Sequence, residues 1–287
     1  MSGANSHVLI TGTSTGIGRA CVLRLARNGF SVLAGVRSEA DGKSLEQAVG
    51  AGARAIVLDL TDAAAIARTT ETVKQICGED GLLGLVNNAG ISVHGPVEHV
   101  PLSEWRRQFE VNFFGQIALT QAMLPSLRLG VSRYGRARIV MMSSIAGRIA
   151  QPIIAPYNAS KYALEAASDA LRLEVRSQGI GVCLIEPGAI DTPIWAKAEA
   201  NPGTFPPDHP ARVLYARAID AVVNSARKSA KSAIPADRVA RVVEKCLTRR
   251  HPRARYLVGT DAHVGAAAKR LLPTAVLDAG MAWALGI

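Results

Sequence analysis

The sequence is short of cysteine and of aromatic residues, and each shortage removes a class of protein. Its four cysteines, Cys21, Cys77, Cys183 and Cys246, are scattered through 287 residues with no C-x-x-C spacing. That argues against a disulfide scaffold, a thiolate metal site and a redox pair, and for a reducing compartment. The six histidines form no ligand pair at helical spacing. No apolar run approaches the ~20 residues of a membrane span. The opening MSGANSHVLITGTS has no basic region ahead of its apolar run and no long signal-type core. Internal repeats and low-complexity linkers are also missing. These absences predict a soluble, cytoplasmic protein without a transmembrane segment.

Charge is present in excess. The formal net charge is +10 at pH 7, which raises nucleic acid as a partner. The basic runs RKSAKS and KCLTRRHPRAR carry no interleaved aromatics, and no helix-turn-helix or zinc-finger pattern accompanies them. The expectation is a solvated basic face with no nucleic-acid partner. Such a face also draws in an anionic cofactor.

Short β-branched runs alternate with helical patterns along the chain. HVLIT, SVLAGV, RAIVLDL, LLGLVNN, ARIVMMSS, IGVCLIEP and RYLVG read as seven strands, and a first helix is expected from about Ile17 to Asn28. These runs are continuously apolar, as strands covered on both faces are. The pattern predicts an α/β fold: one doubly wound, Rossmann-type domain over residues 1–287, with a mostly parallel seven-stranded sheet and helices on both faces. Prolines break the stretch NPGTFPPDHP, within a substrate loop expected over residues 191–212. Residues 260–287 read as a C-terminal tail extension.

TGTSTGIG follows the first strand and opens a helix, with Gly12, Gly16 and Gly18 at G-x-x-x-G-x-G spacing. Glycines allow a tight turn and close approach of backbone to a pyrophosphate. The helix behind them offers free amides and a positive dipole end. A glycine-rich turn alone is weak evidence; its place after the first parallel strand strengthens it. A second feature is APYNASKYALEAASDALRLEV, a helix carrying Tyr157 and Lys161 four residues apart on one side. A snorkelling lysine beside a half-buried tyrosine would explain the pair as well as chemistry would.

The order of motifs decides between them. NNAG, at Asn87–Gly90, ends the fourth strand. Asn112 sits in FEVNFFGQ, Ser144 ends the fifth strand in MMSSIAG, Tyr157 and Lys161 follow, and PGAIDTP follows the sixth strand. This set resembles the classical short-chain dehydrogenases/reductases from about His7 to Pro193, with a weaker likeness beyond it to the retinol and 17β-hydroxysteroid dehydrogenase branches. The resemblance implies an oxidoreductase that interconverts an alcohol and its ketone or aldehyde by hydride transfer with a nicotinamide cofactor. In it Tyr157 is the general acid/base, and Lys161 lowers the phenol's pKa and holds the nicotinamide ribose. Ser144, with Ser143 as its competitor, donates to the developing oxyanion. Asn112 bends its helix and holds a water beside Lys161; a satisfied core amide is the plain alternative.

The remaining motif residues are expected at the cofactor: Gly12, Thr13, Ser14, Gly16, Ile17 and Gly18 at the phosphates, and Asp59, Leu60, Asn88, Ala89 and Gly90 on the adenine side. Pro187, Gly188, Ile190 and Thr192 are expected at the nicotinamide, together with Tyr157 and Lys161. NAD enzymes of this fold place a carboxylate at the end of the second strand. Here that place falls on Gly35 and Val36, where neither side chain accepts and Gly35 leaves open space, and Arg37 and Ser38 follow. A guanidinium there suits a 2′-phosphate, so NADP is expected over NAD. Ser144, Ile149, Pro152, Tyr157, Trp195 and Phe205 are the expected substrate contacts. The apolar ones suit a steroid, a retinoid or a lipid-like carbonyl. The family also implies a homodimer or homotetramer through helices near Ser103–Leu129 and Pro156–Gln178. The competing reading is a regulatory dinucleotide-binding protein with weak or no catalysis on the same fold.

Overall fold

Strands rich in Val, Ile and Leu can be buried on both faces only if helices cover both. That is the arrangement in the computed structural model, which describes residues 6–193, 206 and 208–286. Strands β1 (His7–Ile10), β2 (Ser31–Val36), β3 (Ala53–Val57), β4 (Gly84–Asn87), β5 (Ala137–Met142), β6 (Ile180–Pro187) and β9 (Arg255–Val258) form one sheet in the order β3-β2-β1-β4-β5-β6-β9. Every pairing is parallel. The central strands β4 and β5 are buried along their whole length. The edge strand β3 instead alternates, and exposes Arg54 and Val57.

Alternate residues of one strand feed opposite layers. Val8 and Ile10 of β1 pack with Cys21, Val22 and Leu25 of α1 (Gly16–Arg27), Leu45 of α2 (Glu39–Val49) and Val243 of the helix Ala236–Thr248. Leu9 faces the other layer, with Val73 of α3 (Ala63–Cys77), Leu119 and Met123 of α5 (Gly115–Tyr134) and Leu164 of α6 (Ala155–Glu174). The chain reverses its winding at β1, which lies between β2 and β4. The carboxyl ends of these strands therefore border the crevice where such sheets bind ligands.

Helix starts follow local chemistry. The Ser38 hydroxyl caps α2 by accepting from Asp41 N at 3.2 Å, and Asp62 caps α3 by accepting from Ala64 N at 2.8 Å. The expected first helix differs from α1 by one residue at each end. The expected helix near Ser103–Leu129 has three parts: α4 (Leu102–Phe109), a π-helical turn Glu110–Phe114, and α5. A second, two-stranded parallel sheet joins β7 (Ile190–Asp191) to β8 (Ile234–Pro235). Two-residue strands carry no periodicity, so the sequence does not signal them. The tail from residue 260 consists of two helices, Thr260–Leu271 and Thr274–Leu285. Within the expected substrate loop, Trp195 and Phe205 lie outside the described residues.

Candidate active site

Four chain segments meet beyond the carboxyl ends of β1, β4, β5 and β6. The first is the glycine turn. A Cβ on Gly12 would press on Ala89 Cα at 2.7 Å, and one on Gly18 would collide with the Gly12 carbonyl. Glycine therefore lets the turn close against the end of β4. Gly12 and Gly16 also hold positive φ, at 68° and 57°. Among the described residues, α1 has no side-chain cap at Thr15 and no acid in its first turn. Its leading amides are thus open to an anion, so the cradle fits a pyrophosphate. The Thr13 hydroxyl is turned away, donating to Gly35 O at 2.9 Å. Asn88 locks the turn to β4 by donating from Nδ2 to Thr11 O at 2.9 Å and to Gly12 O at 3.1 Å.

The second segment, Ala89–Val93, is held by a ladder of buried amides. Asn112 accepts from Ile91 N at 2.9 Å, and donates to Ile91 O at 3.0 Å and to Ser160 Oγ at 3.2 Å. Gln108 accepts from Val93 N at 2.7 Å and donates to Ile91 O at 2.8 Å, and Gln116 donates to Ala89 O at 2.7 Å. Gln108 and Gln116 were not singled out from the sequence. Their signal was there, since both stand four positions from Asn112. Asn112 thus has the bonds of a satisfied core amide, inside a π turn of the kind that concentrates at functional sites. Asn112 Oδ1 and Lys161 Nζ both approach Gly90, lying 3.4 and 3.8 Å from an ideal Cβ there.

The third and fourth segments carry Ser144, at the end of β5, and Tyr157 and Lys161, on the first two turns of α6. The Ser144 hydroxyl accepts from Ala146 N at 3.1 Å and lies near enough to the Tyr157 phenol to influence its titration. The Ser143 hydroxyl is buried and, among the described residues, without a partner. The structure therefore brings Ser144, not Ser143, to the phenol. Lys161 is 3% exposed, and its ammonium donates to Met142 O at 2.7 Å while standing 5.7 Å from the centre of the Tyr157 ring. Burial pushes Lys161 down to about 8, against the opposing pull of Glu165 one turn on. Burial likewise raises the Tyr157 phenol, and the Ser144 hydroxyl opposes the rise. Desolvation thus acts against the expected lowering of the phenol by Lys161.

Other expected residues have local duties. Ser38 spends its hydroxyl on Asp41, donating to Oδ2 at 2.9 Å besides capping α2. Asp59 accepts from Thr61 N at 2.9 Å and from Thr61 Oγ1 at 2.8 Å. Gly35 does not leave open space: a Cβ there would lie 3.1 Å from Ile10 O. Arg37 is exposed and has no acidic partner among the described residues. Leu60 is buried, Ile149 and Pro152 are half-buried, and Ile149 lies against Gly265 of the tail.

A doubly wound parallel sheet whose winding reverses beside an open, glycine-lined helix N-terminus defines a Rossmann-type α/β protein. The family model for short chain dehydrogenase matches residues 6–203, and the chain belongs to that family of oxidoreductases. NADPH-dependent 3-dehydrocapnine reductase of Ornithobacterium rhinotracheale is 35% identical to it over 272 residues, 95% of this chain and 94% of that one. Retinol dehydrogenase 5 of Mus musculus is 34% identical over 292 residues, 98% of this chain and 89% of that one. The likeness to the retinol dehydrogenase branch thus extends past Pro193. The crystal structure of a short-chain dehydrogenase from Streptomyces avermitilis superposes with a TM-score of 0.76 at 29% identity, over 98% of this chain and 95% of that one.

Proposed function

We propose that this oxidoreductase interconverts a hydrophobic alcohol and its ketone or aldehyde with NADP, in the cytoplasm. The observation that carries the reading is the convergence of Ser144, Tyr157 and buried Lys161 beyond the strand ends, beside the open N-terminus of α1. Gly12, Ser14, Gly16, Ile17 and Gly18 would hold the pyrophosphate, and Pro187–Thr192 the nicotinamide end. When bound, the dinucleotide supplies or accepts the hydride. Tyr157 gives its proton to the carbonyl oxygen, or takes it from the alcohol. Ser144 donates to the same oxygen and fixes the phenol. Lys161 holds the ribose hydroxyls and, titrating near 8, passes protons at working pH. The π turn at Asn112 stands beside it for the water of the relay.

Support for NADP comes from exposed Arg37, free of an acidic partner among the described residues, and from crowding at Gly35 that disfavours a carboxylate there. The name of the NADPH-dependent relative points the same way. Against it, Ser38 is already engaged with Asp41. The apolar half-buried pair Ile149 and Pro152, together with the retinol dehydrogenase likeness, supports a hydrophobic substrate. Four buried free cysteines suit a reducing compartment.

The test is reduction of NADP or NAD with a panel of hydrophobic alcohols. Tyr157→Phe should bind cofactor like wild type and lose nearly all turnover. Wild-type turnover in that variant would make Tyr157 a packing residue. Dinucleotide binding with no turnover on any substrate would favour a regulatory protein. Arg37→Ala should weaken NADP by about 1.5–3 kcal/mol in kcat/KM, the value of a charge-assisted bond, and leave NAD almost unchanged. A wild-type preference for NAD, or equal losses for both cofactors, would remove the NADP assignment.

A further inference from the structure

The loop after β6 is pinned from two sides by segments distant in sequence. Gly188 N donates to Val258 O at 2.9 Å, which carries the β6–β9 pairing one residue beyond Pro187. Ile234 N donates to Ala189 O at 3.1 Å and leads into the β7–β8 pairing. Between them, Ala189 N donates to Asp261 Oδ2 at 2.6 Å. That is the geometry of a charge-assisted bond.

Two glycines make room for this carboxylate. A Cβ on Gly188 would collide with both Asp261 oxygens, and one on Gly259, at φ 112°, would collide with Oδ1. A residue that only favours the N-terminus of the helix Thr260–Leu271 needs no such slot. Asp261 reaches across to another strand's loop instead, and has no cationic partner among the described residues. The slot also gives Gly188 a cause in the protein itself, beside any contact with a ligand.

We propose that Asp261 is a positioning residue for the nicotinamide end of the cofactor site, acting through the backbone of Gly188–Ile190. The proposal rests on the dinucleotide-binding reading above. With Ala189 N held by Asp261 and Ala189 O held by Ile234, the two peptide units that flank Ala189 are each fixed in orientation. The loop then presents a fixed edge to the nicotinamide half, while the adenine half rests on β1, β2 and β4 and does not depend on it.

The experiment titrates purified wild type, Asp261→Ala, Asp261→Glu and Asp261→Asn with NADPH, and with adenosine 2′,5′-bisphosphate, which has no nicotinamide half. Wild-type binding of NADPH is the control for the underlying reading; if it fails, the cofactor assignment falls first and this inference with it. Asp261→Ala should weaken NADPH about tenfold, the loss of roughly one such bond, and leave the bisphosphate within about twofold. Asp261→Asn keeps an acceptor oxygen and should restore most of the affinity. Asp261→Glu keeps an acid at the helix start but displaces its oxygens, so it should fold and still bind NADPH poorly. Equal weakening of both ligands, unchanged NADPH affinity in the Ala or Glu variant, or an Asn variant as damaged as Ala would each overturn the proposal.

Discussion

Burying an ammonium at Lys161 costs stability that an apolar side chain of similar length would not. In the folded protein burial holds this group near 8, against 10.5 as its ordinary value. Between those limits the unfolded chain binds more protons than the folded one, so this residue makes stability rise with pH across that window. Below about 8 the cost is fully present. Lys161→Met should therefore raise Tm at pH 7, by relief on the order of 1–3 kcal/mol, and abolish turnover. Melting from pH 7 to 10 checks this: the upward slope should flatten in the variant. A variant less stable than wild type at pH 7 would mean that the bond to Met142 O outweighs the desolvation.

At the scale of elements, the π turn and the tail differ most from regular expectation. The turn Glu110–Phe114 lies between α4 and α5 and keeps Gln108, Asn112 and Gln116 on the loop Ala89–Val93. The two helices of the tail differ in how far they pack against the rest of the protein. Thr260–Leu271 buries Ala262 completely and sets Gly265 against Ile145 and Ile149. Thr274–Leu285 has no buried residue among those described, and Trp283 is 87% exposed. Deleting residues 274–287 should leave Tm and cofactor affinity unchanged. Deleting everything after Gly265 should lower Tm and raise the substrate KM, through Ile149. Calorimetry and steady-state kinetics on both truncations check this; equal effects would mean that the last helix carries load elsewhere.

At the scale of the molecule, no helix among the described residues is long and apolar enough to cross a membrane. The outward sides of the π turn and α6 expose Phe114, Tyr162 and Leu173, beside Ala166 and Ala170. Small residues admit the close approach of a partner helix, and exposed apolar side chains gain by being covered. We expect a homodimer or homotetramer built on this face. Light scattering at micromolar concentration should give two or four chain masses, and Leu173→Glu should reduce it. A monomeric wild type would refute this.

Much of this protein was legible as one-dimensional pattern, because the forces behind the pattern are local. Continuous apolar runs alternating with helical periods gave the seven strands and the layers that cover them. The positive φ of Gly12 and Gly16, and the four-residue spacing of Tyr157 and Lys161, are requirements of backbone and helix geometry that act within a few residues. Only the tertiary structure decided matters that depend on long-range contact. It directed the Lys161 ammonium at Met142 O. It set burial against the expected shift of Tyr157, because desolvation depends on everything that surrounds a group. It filled the space at Gly35 with the Ile10 carbonyl, and set Asp261 in the slot that Gly188 leaves open. Those neighbours come from other elements of the chain, and no periodicity along it encodes the distance between them.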